Sequence, residues 1–195
     1  MKKIFSGVRK LFYYIIANTI GRLIYPRKIF TGRHFKNIFS DGWKWVCGGI
    51  FYQKMLGYNR NIRFPVNFRT VISSNNIEFD SNDLNNFQHF GCYFQNFNGK
   101  IKIGKGTFIA PNVGIITSNH DINDLSKHQN GKDVVISEDC WIGMNSVILP
   151  GVVLGKHTIV GAGSIVTKSF DGNCVIAGNP AKKIKDLEGK MYNEN

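Results

Sequence analysis

The chain has 195 residues, of which 43% are apolar, and a formal net charge of +12. A chain of this size and apolar content can form one globular domain with a core, which argues against intrinsic disorder. Residues 1–60 carry twelve Lys or Arg against one acid, Asp41, whereas residues 61–195 carry thirteen against twelve. Because the basic excess is confined to one end, we do not predict a nucleic-acid-binding protein.

The four cysteines are far apart in the sequence, at Cys47, Cys92, Cys140 and Cys174. No CxxC pair or histidine cluster accompanies them, so the pattern indicates neither a zinc site nor a disulfide framework. The longest uncharged apolar stretch, residues 11–21, is about half of the roughly 20 residues that span a bilayer. We therefore expect a cytoplasmic protein in a reducing compartment, and peripheral association with the inner face of the membrane is left open.

The first predicted element is an amphipathic helix over residues 8–24, ended by Pro26. Its apolar residues recur at helical spacing, at Val8, Leu11, Phe12, Ile15, Ile16, Ile20, Leu23 and Ile24. Basic residues flank this stripe, which favours a helix lying on an anionic membrane surface. Packing of the stripe against the rest of the protein remains the alternative, and an anionic lipid-linked substrate would also account for the charge.

Residues 1–60 are interpreted as a basic, aromatic-rich extension, with a second helix around residues 43–56. Residues 61–185 form the predicted main domain, and residues 186–195 a tail. Six uninterrupted blocks of six residues fill positions 136–171 of that domain. Each block begins with an aliphatic residue, namely Ile136, Ile142, Ile148, Leu154, Val160 or Val166. A period of six, with glycine at the bends, predicts a parallel β-helix.

The six-residue pattern is first detectable at Ile62, becomes regular from Ile103, and breaks after His120. A coil accepts insertions only as loops at its corners, so residues 121–135 are predicted to project from the wall. His120 stands at the base of this loop, where an imidazole can act as a general base near neutral pH. The alternative is a surface histidine bonded to Asp121 or Asp124. His128, within the loop, is a candidate substrate contact.

Other candidate groups carry weaker signals. Cys140 occupies a position where small residues recur, which indicates packing rather than catalysis. The spacing of the five histidines gives no set of three for a metal ion. Lys182, Lys183 and Lys185 follow Pro180 at the expected start of a short C-terminal helix. They suit a phosphate-bearing ligand or form only a solvated face.

Several motifs together resemble the hexapeptide-repeat acyltransferases, near the galactoside, maltose and bacterial polysaccharide O-acetyltransferases. They are IGKGTFIAPNVGI, the histidine of NHD, CWIGMNSVILPGV, VGAGSIVTK and AGNPAKKIK. The resemblance implies an all-β fold class for the main domain, a left-handed parallel β-helix. It also implies a homotrimer that binds acetyl-CoA between subunits and uses no metal. His120 would be the general base, and the backbone N–H of Met144 would bind the oxyanion.

The same resemblance assigns the remaining site residues. Trp141, Met144, Ala162, Thr167 and Lys168 would contact the cofactor. Lys182 and Lys185 would lie near its phosphates. Asn96 would help to hold an acceptor sugar, although an acidic residue typical of galactoside-type enzymes is missing, because Gly99 and Lys100 follow instead.

The leading hypothesis is an acetyl-CoA-dependent O-acetyltransferase of a surface polysaccharide or its precursor, working by direct transfer in a ternary complex. Two alternatives remain open at this point. One is an N-acetyltransferase of a nucleotide-linked amino sugar. The other is a membrane-associated scaffold in which the repeat is purely structural.

Overall fold

The computed structural model describes residues 2–187, with side chains from residue 7 onward. The N-terminal region is helical, with α1 at Lys2–Ile16, α2 at Arg22–Ile24 and α3 at Gly42–Gly49. Wide π turns continue the first and third helices at Ala17–Gly21 and Ile50–Met55. Short 3₁₀ turns lie at Arg27–Thr31, Arg33–Phe35 and Ser81–Phe87.

Fourteen short strands among the described residues follow. They are β1 Val71–Ile72, β2 Ile77–Glu78, β3 Tyr93–Gln95, β4 Ile101–Ile103, β5 Phe108–Ile109, β6 Gly114–Ile116, β7 Val134–Ile136, β8 Trp141–Ile142, β9 Val147–Ile148, β10 Val153–Leu154, β11 Thr158–Val160, β12 Ile165–Val166, β13 Cys174–Ala177 and β14 Lys182–Asp186. They form sheet A (β1-β3-β6-β9-β12), sheet B (β2-β4-β7-β10) and sheet C (β5-β8-β11-β13-β14). Every pair is parallel except β13 with β14.

Successive strands pass from sheet C to sheet A to sheet B, so the chain winds as a three-sided parallel coil. The six aliphatic residues that open the hexads are at most 1% exposed and form its core. The inward position predicted from the period is therefore confirmed. Full burial of one such side chain stabilises the fold by about 1.5–3 kcal/mol.

Small residues at the bends let neighbouring rungs approach closely. A Cβ on Gly155 would lie 2.0 Å from the Asp171 carbonyl oxygen, and one on Gly143 would lie 2.6 Å from the Ala162 nitrogen. Residues with positive φ at other corners include Asn112 and Asn145, because asparagine tolerates the left-handed region better than most residues. The hexad therefore repeats both the core side chain and the bend.

Buried polar groups tie the N-terminal region to the first rungs of the coil. The Gln53 side chain is fully buried, accepts from the Val66 N–H (3.0 Å) and donates to the Phe64 carbonyl (3.2 Å). Tyr25 is also buried, and its hydroxyl lies 3.0 Å from Gln53 Oε1. Farther along, the Arg33 guanidinium donates to the Asn82 carbonyl at 2.8 Å.

Two boundaries differ from the sequence prediction. The prediction of a short C-terminal helix is wrong, because residues Lys182–Asp186 instead form β14 along the edge of β13. The open edge of sheet C supplies the hydrogen-bonding partners that a separate helix would lack. Val134 begins β7 and is fully buried, so the last two residues of the predicted loop belong to the wall. Within the described helices, none is long and apolar enough to cross a bilayer.

Candidate active site

The projecting loop joins β6 in sheet A to β7 in sheet B and folds back on itself as a narrow hairpin. The Asp121 N–H donates to the Lys127 carbonyl, and the Gln129 N–H donates to the Asn119 carbonyl, both at 2.9 Å. His120 and His128 pair across this hairpin in an antiparallel bridge. The backbone thus places both loop histidines side by side.

His120 has a defined tautomer. Its Nδ1 lies 2.8 Å from the Leu125 carbonyl oxygen, and because a carbonyl can only accept, Nδ1 carries the proton. The Nε2 lone pair of the neutral ring is then available to take a proton. The carboxylates proposed as alternative partners are engaged elsewhere: Asp121 accepts from the Asn123 N–H, and Asp124 accepts from Ser126.

Aromatic packing holds the two imidazoles. The ring centroids of His120 and His128 are 4.3 Å apart with an interplanar angle of 33°. Phe97 stands edge-on against His128 at 5.1 Å. His120 is exposed, so its ring is fixed by the loop and its neighbours while it faces solvent.

Met144 and Ala162, two of the residues assigned to the oxyanion and the cofactor, lie at a different corner of the coil from His120. We call the turns between sheet C and sheet A the C–A corner (residues 143–146 and 161–164), and those between sheet A and sheet B the A–B corner (residues 117–133, 149–152 and 167–169). Met144 and Ala162 stack on successive rungs of the C–A corner, where the Gly163 N–H donates to the Met144 carbonyl at 2.8 Å. His120, Thr167 and Lys168 lie on the A–B corner.

The two corners are separated by the full width of sheet A. On the rung that leads to His120, sheet A consists of the three-residue strand β6. Because a strand advances about 3.3 Å per residue, this strand separates the two corners by roughly 10 Å. One chain therefore does not bring His120 to Met144. The predicted residues form two half-sites on opposite edges of the same face.

The C–A half-site offers an unused backbone donor. Gly143 donates to the Val160 carbonyl at 2.9 Å and Asn145 to the Pro111 carbonyl at 3.3 Å. The Met144 N–H between them has no acceptor among the described residues. On the adjoining face of sheet C, Trp141 is 55% exposed and aligned with Phe108, which is 51% exposed. Together they give this side of the coil an apolar wall.

Basic residues line an open cavity of about 460 Å³ near the C-terminal end of the coil. Lys168 from the A–B corner and Lys182 from β14 both line it, together with Lys183. Asp171 and Asp186 line it as well; Lys183 is paired with Asp186 at 2.8 Å, whereas Lys168 and Lys182 form no salt bridge within the described residues. Lys185 is exposed on the same strand but does not line this cavity.

Asn96 does not reach the surface. Its side chain is fully buried, its Oδ1 accepts from the Ser74 N–H and its Nδ2 donates to the Ser74 carbonyl, both at 2.9 Å. Both polar atoms of the Asn96 side chain are thus bonded to the Ser74 backbone. The assignment of Asn96 to an acceptor sugar therefore has no support in the structure. The neighbouring Phe97 is 49% exposed and stands at the loop instead.

The cysteines lack the surroundings of a nucleophile. Burial raises the pKa of the Cys92, Cys140 and Cys174 thiols, which disfavours the reactive thiolate. Cys140 donates to the Gly155 carbonyl within the coil. Within residues 2–187, no group of three or more His, Cys, Asp or Glu side chains is placed to bind a metal ion.

Two features of the loop were missed in the sequence. The Leu125 carbonyl that fixes the His120 tautomer is a backbone group, so the residue type at this position does not indicate the contact. Phe97 carried a weak signal, because it is an aromatic residue one position from the expected acceptor contact, but its partner across the loop could not be read from spacing.

Comparison with known proteins places the coil in context. Residues 133–168 match the bacterial transferase hexapeptide (six repeats). The chain is 39% identical over 117 residues to the galactoside O-acetyltransferase of Lactococcus lactis subsp. lactis (strain IL1403), covering 53% of this chain and 56% of that protein. It is 38% identical over 88 residues to a candidate colanic acid biosynthesis acetyltransferase (WcaF) of Escherichia coli K12, covering 45% and 48%.

Among solved structures, a maltose O-acetyltransferase from Clostridium difficile 630 is 40% identical, with a TM-score of 0.48, over 50% of this chain and 54% of that chain. The chain spans about half the length of the curated relatives that it matches. Residues 133–168 of the wall therefore match the bacterial transferase hexapeptide, and over about half of its length the chain is similar to galactoside O-acetyltransferases.

Proposed function

We propose that this protein is an acetyl-CoA-dependent O-acetyltransferase that acts on a sugar of a surface polysaccharide or its precursor. The observation that carries the proposal is the His120 ring, whose Nδ1–H is bound to the Leu125 carbonyl and whose Nε2 is left to act as a base. The coil is left-handed in this proposal, as in the family that it resembles.

The reaction is a direct transfer. His120 Nε2 removes the proton of an acceptor hydroxyl as its oxygen attacks the thioester carbonyl carbon. A C–O bond forms, the C–S bond breaks, and the proton passes to the departing thiolate of CoA. A positioned base contributes about 10²- to 10⁴-fold to such a step. No covalent acyl-enzyme is required, which agrees with the lack of an activated cysteine in the described part of the chain.

The active enzyme is a homotrimer in this proposal, because each site needs both corners. The A–B corner of one subunit supplies His120, and the C–A corner of the next supplies the Met144 N–H. An amide without another acceptor is suited to the developing oxyanion, where one such donor is worth about 2.7–4 kcal/mol. A cyclic assembly repeats this contact three times with identical surfaces.

The cofactor would lie along the groove between the two subunits. The exposed Trp141 ring and Ala162 suit an apolar stretch of the cofactor arm, and Thr167 and Lys168 lie on the other side of the groove. Lys168 and Lys182 share the basic cavity, where ammonium groups can pair with phosphates. Lys185 would add charge at the rim. His128 and Phe97 are the proposed acceptor contacts, in place of Asn96.

The test is transfer from acetyl-CoA to candidate glycans, with the release of free CoA thiol as the readout. His120→Ala should lower kcat/KM about 10²- to 10⁴-fold and leave the Kd of CoA unchanged. His89→Gln, a partly buried histidine outside both half-sites, is the matched control and should keep full activity. Full turnover by His120→Ala on the true acceptor would refute the proposed base.

The product distinguishes the remaining alternatives. An acetyl ester on a hydroxyl is cleaved by mild alkali, whereas an N-acetyl amide survives. An alkali-stable product on an amino sugar would make the protein an N-acetyltransferase. If calorimetric titration detects no binding of CoA to the full chain, the repeat is a scaffold and the enzymatic proposal fails.

A further inference from the structure

The N-terminal helices have two apolar sides, and only one of them is used for folding. On the inner side, Tyr14 packs edge-on against Trp43 with ring centroids 5.0 Å apart. Gly21 meets Val46 so closely that a Cβ would lie 2.4 Å from it. Ala17 is fully buried between these contacts. The fold is therefore already secured without the other side of the helix.

The outer side is a continuous apolar surface. Val8 is 63% exposed, Phe12 58%, Ile15 53% and Leu23 89%. The π turn Ala17–Gly21 adds one residue to a turn, which shifts the later residues by about 100° around the axis. Ile20, which is 48% exposed, and Leu23 lie within and beyond this turn and are also exposed to solvent.

Exposed cations accompany this outer face in the N-terminal region. Arg9, Arg22, Arg27, Lys28 and Lys44 are exposed, and Asp41 is the one acid against twelve basic residues in positions 1–60. A second copy of the chain would bring two strongly basic regions together, which is unfavourable. A nucleic acid would match the charge but offers nothing to apolar side chains as exposed as Leu23. A bilayer of anionic lipids satisfies both requirements.

We propose that the outer face of α1 and α2, formed by Val8, Leu11, Phe12, Ile15, Ile20 and Leu23, docks in the plane of an anionic membrane. The apolar side chains enter the boundary between headgroups and acyl chains, and the flanking Arg and Lys contact the lipid phosphates. The stretch from residue 8 to residue 23 is about 24 Å long, and it lies along the surface rather than across it. This proposal is independent of the acyl transfer.

The experiment measures co-sedimentation of the full chain with vesicles of equal parts phosphatidylglycerol and phosphatidylcholine. Wild type should bind these vesicles, bind pure phosphatidylcholine much less, and lose binding as salt rises from about 0.05 to 0.5 M. The double variant Phe12→Ser, Leu23→Ser should reduce the partition coefficient at least tenfold. The matched control Val153→Ser, Ile184→Ser changes two exposed apolar residues of the coil and should bind like wild type.

Two double variants that remove positive charges separate the electrostatic contribution to membrane binding from the apolar contribution. Arg9→Gln with Arg27→Gln should weaken binding to the anionic vesicles and reduce its salt dependence, whereas Lys105→Gln with Lys156→Gln on the coil should not. Thermal unfolding of each variant verifies that the coil is intact. The proposal is overturned if both N-terminal double variants bind vesicles like wild type, or if the wild-type chain does not bind anionic vesicles. It is also overturned if Phe12→Ser, Leu23→Ser changes the oligomeric state and leaves vesicle binding intact.

Discussion

The separation of the two half-sites leads to a complementation experiment. His120→Ala removes the proposed base from the A–B corner and leaves the C–A corner intact. Met144→Pro removes the backbone N–H from the C–A corner and leaves His120 intact. Each variant alone should retain about 1% of wild-type activity or less, given the expected contributions of a base and of an oxyanion donor.

Mixed trimers should regain activity in a predictable amount. Random assembly of the two variants in equal parts gives about three quarters of the trimers with both kinds of subunit. In each mixed ring, one of the three interfaces joins an intact A–B corner to an intact C–A corner. The co-expressed mixture should therefore show about one quarter of wild-type activity per chain. A site contained within one chain would give no recovery, because every chain carries one defect.

The assay is thiol release from acetyl-CoA by the two variants, expressed together and separately. Ala162→Trp, which blocks the same corner from an exposed position, replaces Met144→Pro if the proline variant unfolds. A control mixture of His120→Ala with Lys168→Ala joins two defects of the A–B corner and should not recover. Activity that stays below 1% in the first mixture, with trimers present, would refute the shared site.

The remaining predictions test the coil and its ligands. Ile142→Ala in the fully buried core should lower the free energy of unfolding by about 2–5 kcal/mol, measured by denaturant titration. Lys182→Gln should weaken CoA binding in calorimetric titration, whereas Lys102→Gln on sheet B should not. Burial lowers the pKa of His89, so the unfolded chain binds its proton more readily and stability is lost as pH falls below about 6.5. His89→Gln should flatten the unfolding free energy between about pH 7 and pH 5, and an unchanged slope would contradict this assignment.

The repeating wall was predictable because one constraint recurs at every rung. Each hexad needs an inward aliphatic residue and a bend, so Ile142 and Leu154 could be placed in the core from spacing alone. The corner hydroxyls follow the same logic: Ser146 and Thr158 are buried and donate to backbone carbonyls of the coil. Local rules and the global fold agree at these positions.

The ends of the coil were less predictable because their structure depends on what lies beside them. Lys182, Lys183 and Lys185 have good helical propensity, yet they extend sheet C because the edge of β13 offers unpaired backbone groups. The role of Asn96 also depends on its surroundings. An asparagine in a corner can bind a ligand or bond the backbone, and only the neighbouring rung, with Ser74 in reach, decides between these roles.

The division between wall and loop also bears on how such a site diversifies. Residues on successive rungs are held about 4.8 Å apart, so Thr167 lies two rungs, or about 10 Å, from Thr117 at the base of the loop. The donor half of the proposed site is fixed by this spacing, because moving any of its residues would disturb the core behind it. Phe97 and His128 lie on exposed corner segments, where substitutions and insertions leave the register of the coil unchanged. Under the proposed function, acceptor choice can therefore change in the loop while the geometry proposed for acetyl-CoA stays constant.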